Sequence, residues 1–189
     1  MQYLLSQLEQ DHQRILKMMY LLSKEINLLT GLDKGTPNCD RILEILDYIQ
    51  VYPEIWHHPT EDILFHQLLR KDNVNIVAVQ SLLRDHPSLE ALSSQLSLIY
   101  SELRATATAP TTSVLRLSRH YCSKQISHIH DERHVFSAIT SRFDEADWQA
   151  VANALRRNTA NSDDLAQFEY ISRSKALNQS HILTSSDLH

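Results

Sequence analysis

The chain has 189 residues, 42% of them hydrophobic, enough for one domain with a substantial core of its own. Its net charge of -5 and the lack of any basic run argue against nucleic acid or an anionic membrane as the main partner. It holds no apolar stretch of the roughly 18 residues that a membrane span needs, its start MQYLLSQLEQDHQ has no secretory-signal pattern, and Cys39 and Cys122 are too few for a disulfide framework, so a cytoplasmic protein with reduced thiols is expected.

Only two glycines and five scattered prolines punctuate the sequence, which favours long helices. Leu8, His12, Ile15, Met19, Leu22, Ile26 and Leu29 step by alternating fours and threes, one face of a helix from about residue 3 to 30 with His12 on the buried stripe. A linker from Thr30 to Cys39 carries Gly31, Gly35 and Pro37. Beyond it Leu43, Leu46, Pro53, His57, Glu61, Leu64 and Leu68 keep a similar step, so His57 and Glu61 share an inward face. After the turn Lys71-Asp72-Asn73, the residues Val79, Leu82, His86, Leu89, Leu96, Tyr100 and Leu103 repeat the pattern. Past a linker from Thr106 to Thr112, Val114, Leu117, Tyr121, His128, Glu132, Val135 and Ile139 repeat it again. Four such helices with short linkers predict an all-α fold, an up-down-up-down four-helix bundle over residues 1–143. Asp144 to Arg156, with Trp148, Val151 and Leu155 in helical register, predicts a fifth helix on the outside. Residues 163–177 predict a sixth, so that 144–178 form a C-terminal helical extension, and the polar tail 179–189 is expected to be disordered.

Eleven histidines are the outlying feature of the composition. Six polar residues fall into two half-sites of one design, His12 followed by His57-x-x-x-Glu61, then His86 followed by His128-x-x-x-Glu132. A lone histidine on an apolar face is more often a hydrogen-bonded core residue than a ligand, and His-x-x-x-Glu alone is a weak pattern. Register decides between the readings, because all six lie near mid-helix on the inward stripes of four helices, where burial would cost several kcal/mol unless each found a partner. Residues i and i+4 stand about 5 to 6 Å apart at Cβ, so each histidine can bind one metal while its glutamate leans across to a neighbour, and two such glutamates can bridge a metal pair. Imidazole and carboxylate donors without thiolate favour iron or manganese, with zinc as an option, over copper or calcium.

The segments Leu8-Glu9-Gln10-Asp11-His12, His57-His58-Pro59-Thr60-Glu61-Asp62-Ile63-Leu64-Phe65, Asp85-His86 and His128-Ile129-His130-Asp131-Glu132 resemble the motifs of hemerythrin-like, or HHE cation-binding, domains over residues 1 to about 143. The resemblance implies a non-haem di-iron centre of two iron ions, oxo- or hydroxo-bridged, with His12, His57, His86 and His128 as terminal ligands and Glu61 and Glu132 as bridges. It implies a protein that binds or reacts with a small oxidant: dioxygen, hydrogen peroxide or nitric oxide. The alternative is an iron-handling, iron-centre repair or redox-sensing module without turnover. Where oxygen-carrying relatives have a His-x-x-x-His pair on the third helix, this chain has His86 and Glu90, and Glu132 follows His128 by four residues. That set is more similar to the bacterial iron-centre repair proteins and to other intracellular sensors and peroxide-reactive members.

Glu90 is therefore either a seventh ligand or an ionised group hydrogen-bonded near the metals. His58, Asp62 and His66 form a stripe rotated about 100° from His57 and are expected to face solvent, as are His130 and His134. On this register, replacing His57 should strip the metal and replacing His58 should not. Tyr100, Tyr121 and Trp56 are read as packing residues. Pro59 and Pro87, each within two residues of a proposed ligand, predict helix distortion there, unless one of them opens a new helix, as Asp85-His86-Pro87 would permit.

Overall fold

A computed structural model of the chain describes residues 2–31 and 38–161. Its helices are α1 (Gln2–Leu29), α2 (Cys39–Val51), α3 (His58–Leu68), α4 (Ile76–Thr106), α5 (Thr112–Arg142) and α6 (Glu145–Asn161), with a π-helical turn, Pro53–His57, between α2 and α3. The second predicted helix is thus two helices and a π turn, which together form one rod. Rods α1, α2–α3, α4 and α5 pack in a ring in chain order, and α6 lies against α3. Among the described residues no helix is long and apolar enough to cross a membrane. The predicted sixth helix and the tail lie outside the described residues, as do Gly35 and Pro37.

Local sequence sets the ends of the rods. The side chains of Asn38, Asn75 and Thr111 accept from the backbone N–H groups of Arg41, Ala78 and Val114, satisfying donors that a helix start leaves unpaired. Helix α1 runs out at Gly31, whose φ of 69° is a conformation that costs glycine little. Helix α4 runs unbroken through Pro87, whereas Pro59 stands in the first turn of α3, directly after the π turn. Of the two prolines, then, Pro59 opens a helix and Pro87 does not.

The π turn has its cause in the spacing of the inward residues. Ile49, Pro53, His57 and Glu61 follow one another by three successive steps of four, and all four are buried. Each step overshoots a full α-helical turn by about 40°, so the stripe would drift by about 120° around the rod. One extra residue, closed by the His58 N–H bonding back to the Pro53 carbonyl, takes most of that drift out.

Two apolar clusters fill the bundle. The larger includes Ile15, Met19, Leu22, Ile26, Ile42, Leu46, Ile49, Leu89, Leu96, Tyr100 and Tyr121. The smaller includes Leu5, Leu8, Leu64, Phe65, Leu68, Val79, Leu82, Val135, Phe136, Ile139 and Val151, with Trp148 and Leu155 of α6 packed against it. Between the clusters, at one level across all four rods, lies a layer of buried histidines and carboxylates.

Candidate metal centre

The structure brings all six predicted residues together. His12 comes from α1, His57 from the end of the π turn, Glu61 from α3, His86 from α4, and His128 and Glu132 from α5, and every one is buried. Glu61 and Glu132, with no exposed surface, span the centre. Oε1 of Glu61 is 3.1 Å from Nε2 of both His12 and His57, while its Oε2 is 3.5 Å from His86 Nε2. Glu132 mirrors this, with Oε1 2.9 Å from His128 Nε2 and 3.6 Å from His86 Nε2, and Oε2 3.0 Å from His12 Nε2.

The two halves correspond closely. The His12 and His57 rings meet edge-on at 4.7 Å and 76°, those of His86 and His128 at 4.8 Å and 77°. Phe136 stacks on His12 and Phe65 on His86. Each half uses its Asp-His dipeptide in the same way: His12 and His86 point inward, while Asp11 and Asp85 stand 3.8 Å from Nδ1 of His57 and His128. Asp11 is itself held by Tyr52, Gln7 and Arg14, and Asp85 by Lys124. Asp62 lies 2.7 Å from His86 Nδ1. A carboxylate behind an imidazole fixes which nitrogen faces inward and strengthens it as a donor. The sequence reading assigned these aspartates no such role, although the repeated Asp-His pair is visible in it.

Charge complementarity holds the centre together. Burial alone would push His57 and His86 down, but Glu61 and Asp11 facing His57 lift it to about 10, and Asp62, Glu132 and Glu61 lift His86 to about 11. His12 is raised likewise by Glu132 and Glu61 against its burial. Glu61 and Glu132 resist the upward push of burial, because the surrounding imidazoles hold them below the usual carboxylate range.

His58 is where the structure overturns the sequence reading. It is not on a solvated face but 2% exposed, with its ring stacked on His86 at 4.3 Å and Nδ1 3.2 Å from Glu90 Oε1. Helix α3 faces both α4 and α5, so its buried arc is wide enough for two adjacent residues 100° apart. The signal was present: Leu64-Phe65, seven residues below His57-His58, is a buried doublet of the same width. His66, His130 and His134 are exposed and Asp62 is half-buried against His86, as its bond requires. Glu90, with its side chain 38% exposed, pairs with His58 and stays outside the convergent donor groups. Tyr100 and Tyr121 are core residues of the larger cluster.

Three groups of donors converge closely enough to hold a cation: His12, His57 and Glu61; Glu61, His86, His128 and Glu132; and His58, His86 and His128. Nε2 of His58 is buried without a hydrogen-bond partner, and Nε2 of His86 and His128, Oε2 of Glu61 and both oxygens of Glu132, although within ion-pair distance of one another, make no hydrogen bond either. A buried polar atom so placed costs about 1–3 kcal/mol, and several facing one another need a common partner. Imidazole nitrogens and carboxylate oxygens suit iron, manganese or zinc, so the residues present fit a metal.

No curated protein and no solved structure matches the sequence significantly. The family model of the hemerythrin HHE cation binding domain matches residues 3–140, a span that runs from the start of α1 to the last turn of α5 and takes in every residue of the centre. The chain belongs to the hemerythrin HHE cation-binding family.

Proposed function

We propose that this metal-binding helical domain holds a pair of iron ions and binds or reduces a small oxidant, namely dioxygen, hydrogen peroxide or nitric oxide. The observation that carries the reading is the pair of fully buried glutamates, each presenting oxygens to imidazoles of both halves. A single cation would need only one such half, whereas two spanning carboxylates suit two cations side by side. His12, His57, His86, His128, Glu61 and Glu132 would hold the iron, whose chemistry would be to supply electrons to the oxidant; reducing hydrogen peroxide to two waters takes two electrons and two protons.

The chain's own residues set the conditions for that chemistry. Glu61 and Glu132 tie the halves together, Asp62 orients His86 through its Nδ1, and Asp11 and Asp85 stand as charges behind His57 and His128. The two apolar clusters above and below the layer exclude bulk water and large reductants. A cleft of about 660 Å³ between α1 and α5, lined by Ser6, Glu9, Gln13, Ile129, Arg133 and Ser137 among others, reaches His12 and admits small molecules.

The test is metal analysis with an absorption spectrum, followed by rapid mixing of the reduced, iron-loaded protein with peroxide. Two irons per chain and repeated turnover support the proposal. A stoichiometric colour change that never turns over replaces it with the sensing or iron-handling role, and fewer than two metals per chain refutes the pair.

A further inference from the structure

The correspondence between the halves is good enough that its failures are informative. Residues 71 apart pair up along the second rod and α5: His57 with His128, Glu61 with Glu132, Leu64 with Val135, Phe65 with Phe136 and Leu68 with Ile139, every one of them buried. Asp11-His12 pairs with Asp85-His86 in the same way, 74 apart. Beside the centre, three positions have unlike mates that bear on the donors. His58 has Ile129 as its mate, Asp62 has Arg133, and Glu90 has Leu16.

These three breaks are not scattered. His58, Asp62 and Glu90 all attend the half that contains His86: His58 stacks on the His86 ring, Asp62 meets His86 Nδ1, and Glu90 meets His58 Nδ1. The Glu90 carboxylate accepts a hydrogen bond from the Nδ1–H of His58, which leaves Nε2 with a free lone pair. That Nε2 is buried, has no hydrogen-bond partner, and converges with donor nitrogens of His86 and His128 to within 4.8 Å. On the other half the corresponding place holds the hydrocarbon side chain of Ile129, which lines the cleft beside His12.

We infer that His58 is a metal ligand, the third imidazole of one half of the centre, which makes the two halves chemically unequal: His58, His86 and His128 serve one metal, and His12 and His57 the other. The inference rests on the paired-metal reading. A buried histidine kept for packing needs no free nitrogen aimed at two other imidazoles, and Glu90 would then have no partner to orient. The donor that the third rod lacks at Glu90 is supplied by the second rod instead, with Glu90 converted to its support.

The experiment loads the full chain with ferrous ⁵⁷Fe under anaerobic conditions and begins with the unaltered protein. Mössbauer spectra should show two inequivalent iron sites in equal amounts; a single symmetric environment overturns the inference without any variant. In His58→Ala one iron should be lost to a competing chelator more readily by well over the roughly ten- to hundredfold that removing an outer hydrogen-bond partner costs. The other iron should be retained, and added imidazole should restore the first. Retention of both irons with unaltered spectra, or equal weakening of both in a protein with unchanged helical circular dichroism, overturns it. Should His58→Ala not fold, His58→Gln fills much of the space, can still reach Glu90 and offers no imidazole nitrogen, so the same chelator comparison decides. Uptake of fewer than two irons by the unaltered protein is a different failure, since it removes the paired-metal reading before His58 is touched.

Discussion

Asp62 shows how much a single carboxylate contributes to a neighbour's chemistry. It lies 2.7 Å from Nδ1 of His86 and is the nearest of the carboxylates that stand behind the imidazoles. Asp62→Ala should weaken metal binding roughly ten- to hundredfold while leaving the bundle folded, because it removes an outer partner and no donor atom; equilibrium titration with ferrous ion against a chelator measures it. Protons give a second check. Without metal, His57 and His86 are lifted to about 10 and 11, so at neutral pH both carry a proton that a metal must displace. Metal uptake near pH 7 should therefore release protons, with apparent affinity rising as pH increases toward 10. Calorimetry in buffers of different ionisation enthalpy counts the protons released. At this scale the sequence was legible wherever spacing alone placed a side chain, as for His12, His57, Glu61, His86, His128 and Glu132. It misled at His58, since a one-residue-wide stripe was assumed for a helix that packs against two neighbours.

Elements were legible from apolar period and turn residues, and the four rods appear where that period put them. The interruption between α2 and α3 was not foreseen, because three consecutive steps of four read as a continuing helix unless the accumulated rotation is counted. Trp148, Val151 and Leu155 placed α6 correctly on the outside, against the smaller cluster. Its start is held by a reciprocal pair: Asp144 accepts from the Asp147 N–H, and Asp147 from the Asp144 N–H. Lys71 and Gln67 of the α3 end clasp the same Asp147. Asp144→Ala should destabilise the protein by about 1 kcal/mol, the usual cost of a lost helix cap, without changing metal content. Urea unfolding of the metal-free protein measures the first and metal analysis the second.

For the whole molecule, the duplicated design places a polar layer across the middle, and a cleft between α1 and α5 opens toward it. Ser137, on the exposed wall of that cleft, is far enough along α5 from Glu132 to be altered without touching a donor. Ser137→Phe should slow binding of azide, a small anionic probe, by several-fold while two metals remain bound; stopped-flow absorbance reads the rate. Composition and period foretold the bundle and its centre, but not the cleft, because its walls are ordinary surface residues that become a passage only when two rods are set side by side.

The layer has a further consequence for how the bundle comes apart. Hydrocarbon contacts do not run continuously from one end of the rods to the other; they stop at the histidines and resume beyond them. Without metal, the two clusters are joined across the layer by mutually attracting charges and should open as separate blocks, with amide exchange protecting the block around Met19 and Tyr100 longer than the smaller one around Phe65 and Phe136. Filling the centre with metal should fuse them, so that a calorimetric trace with two melting events becomes one with a single, higher transition.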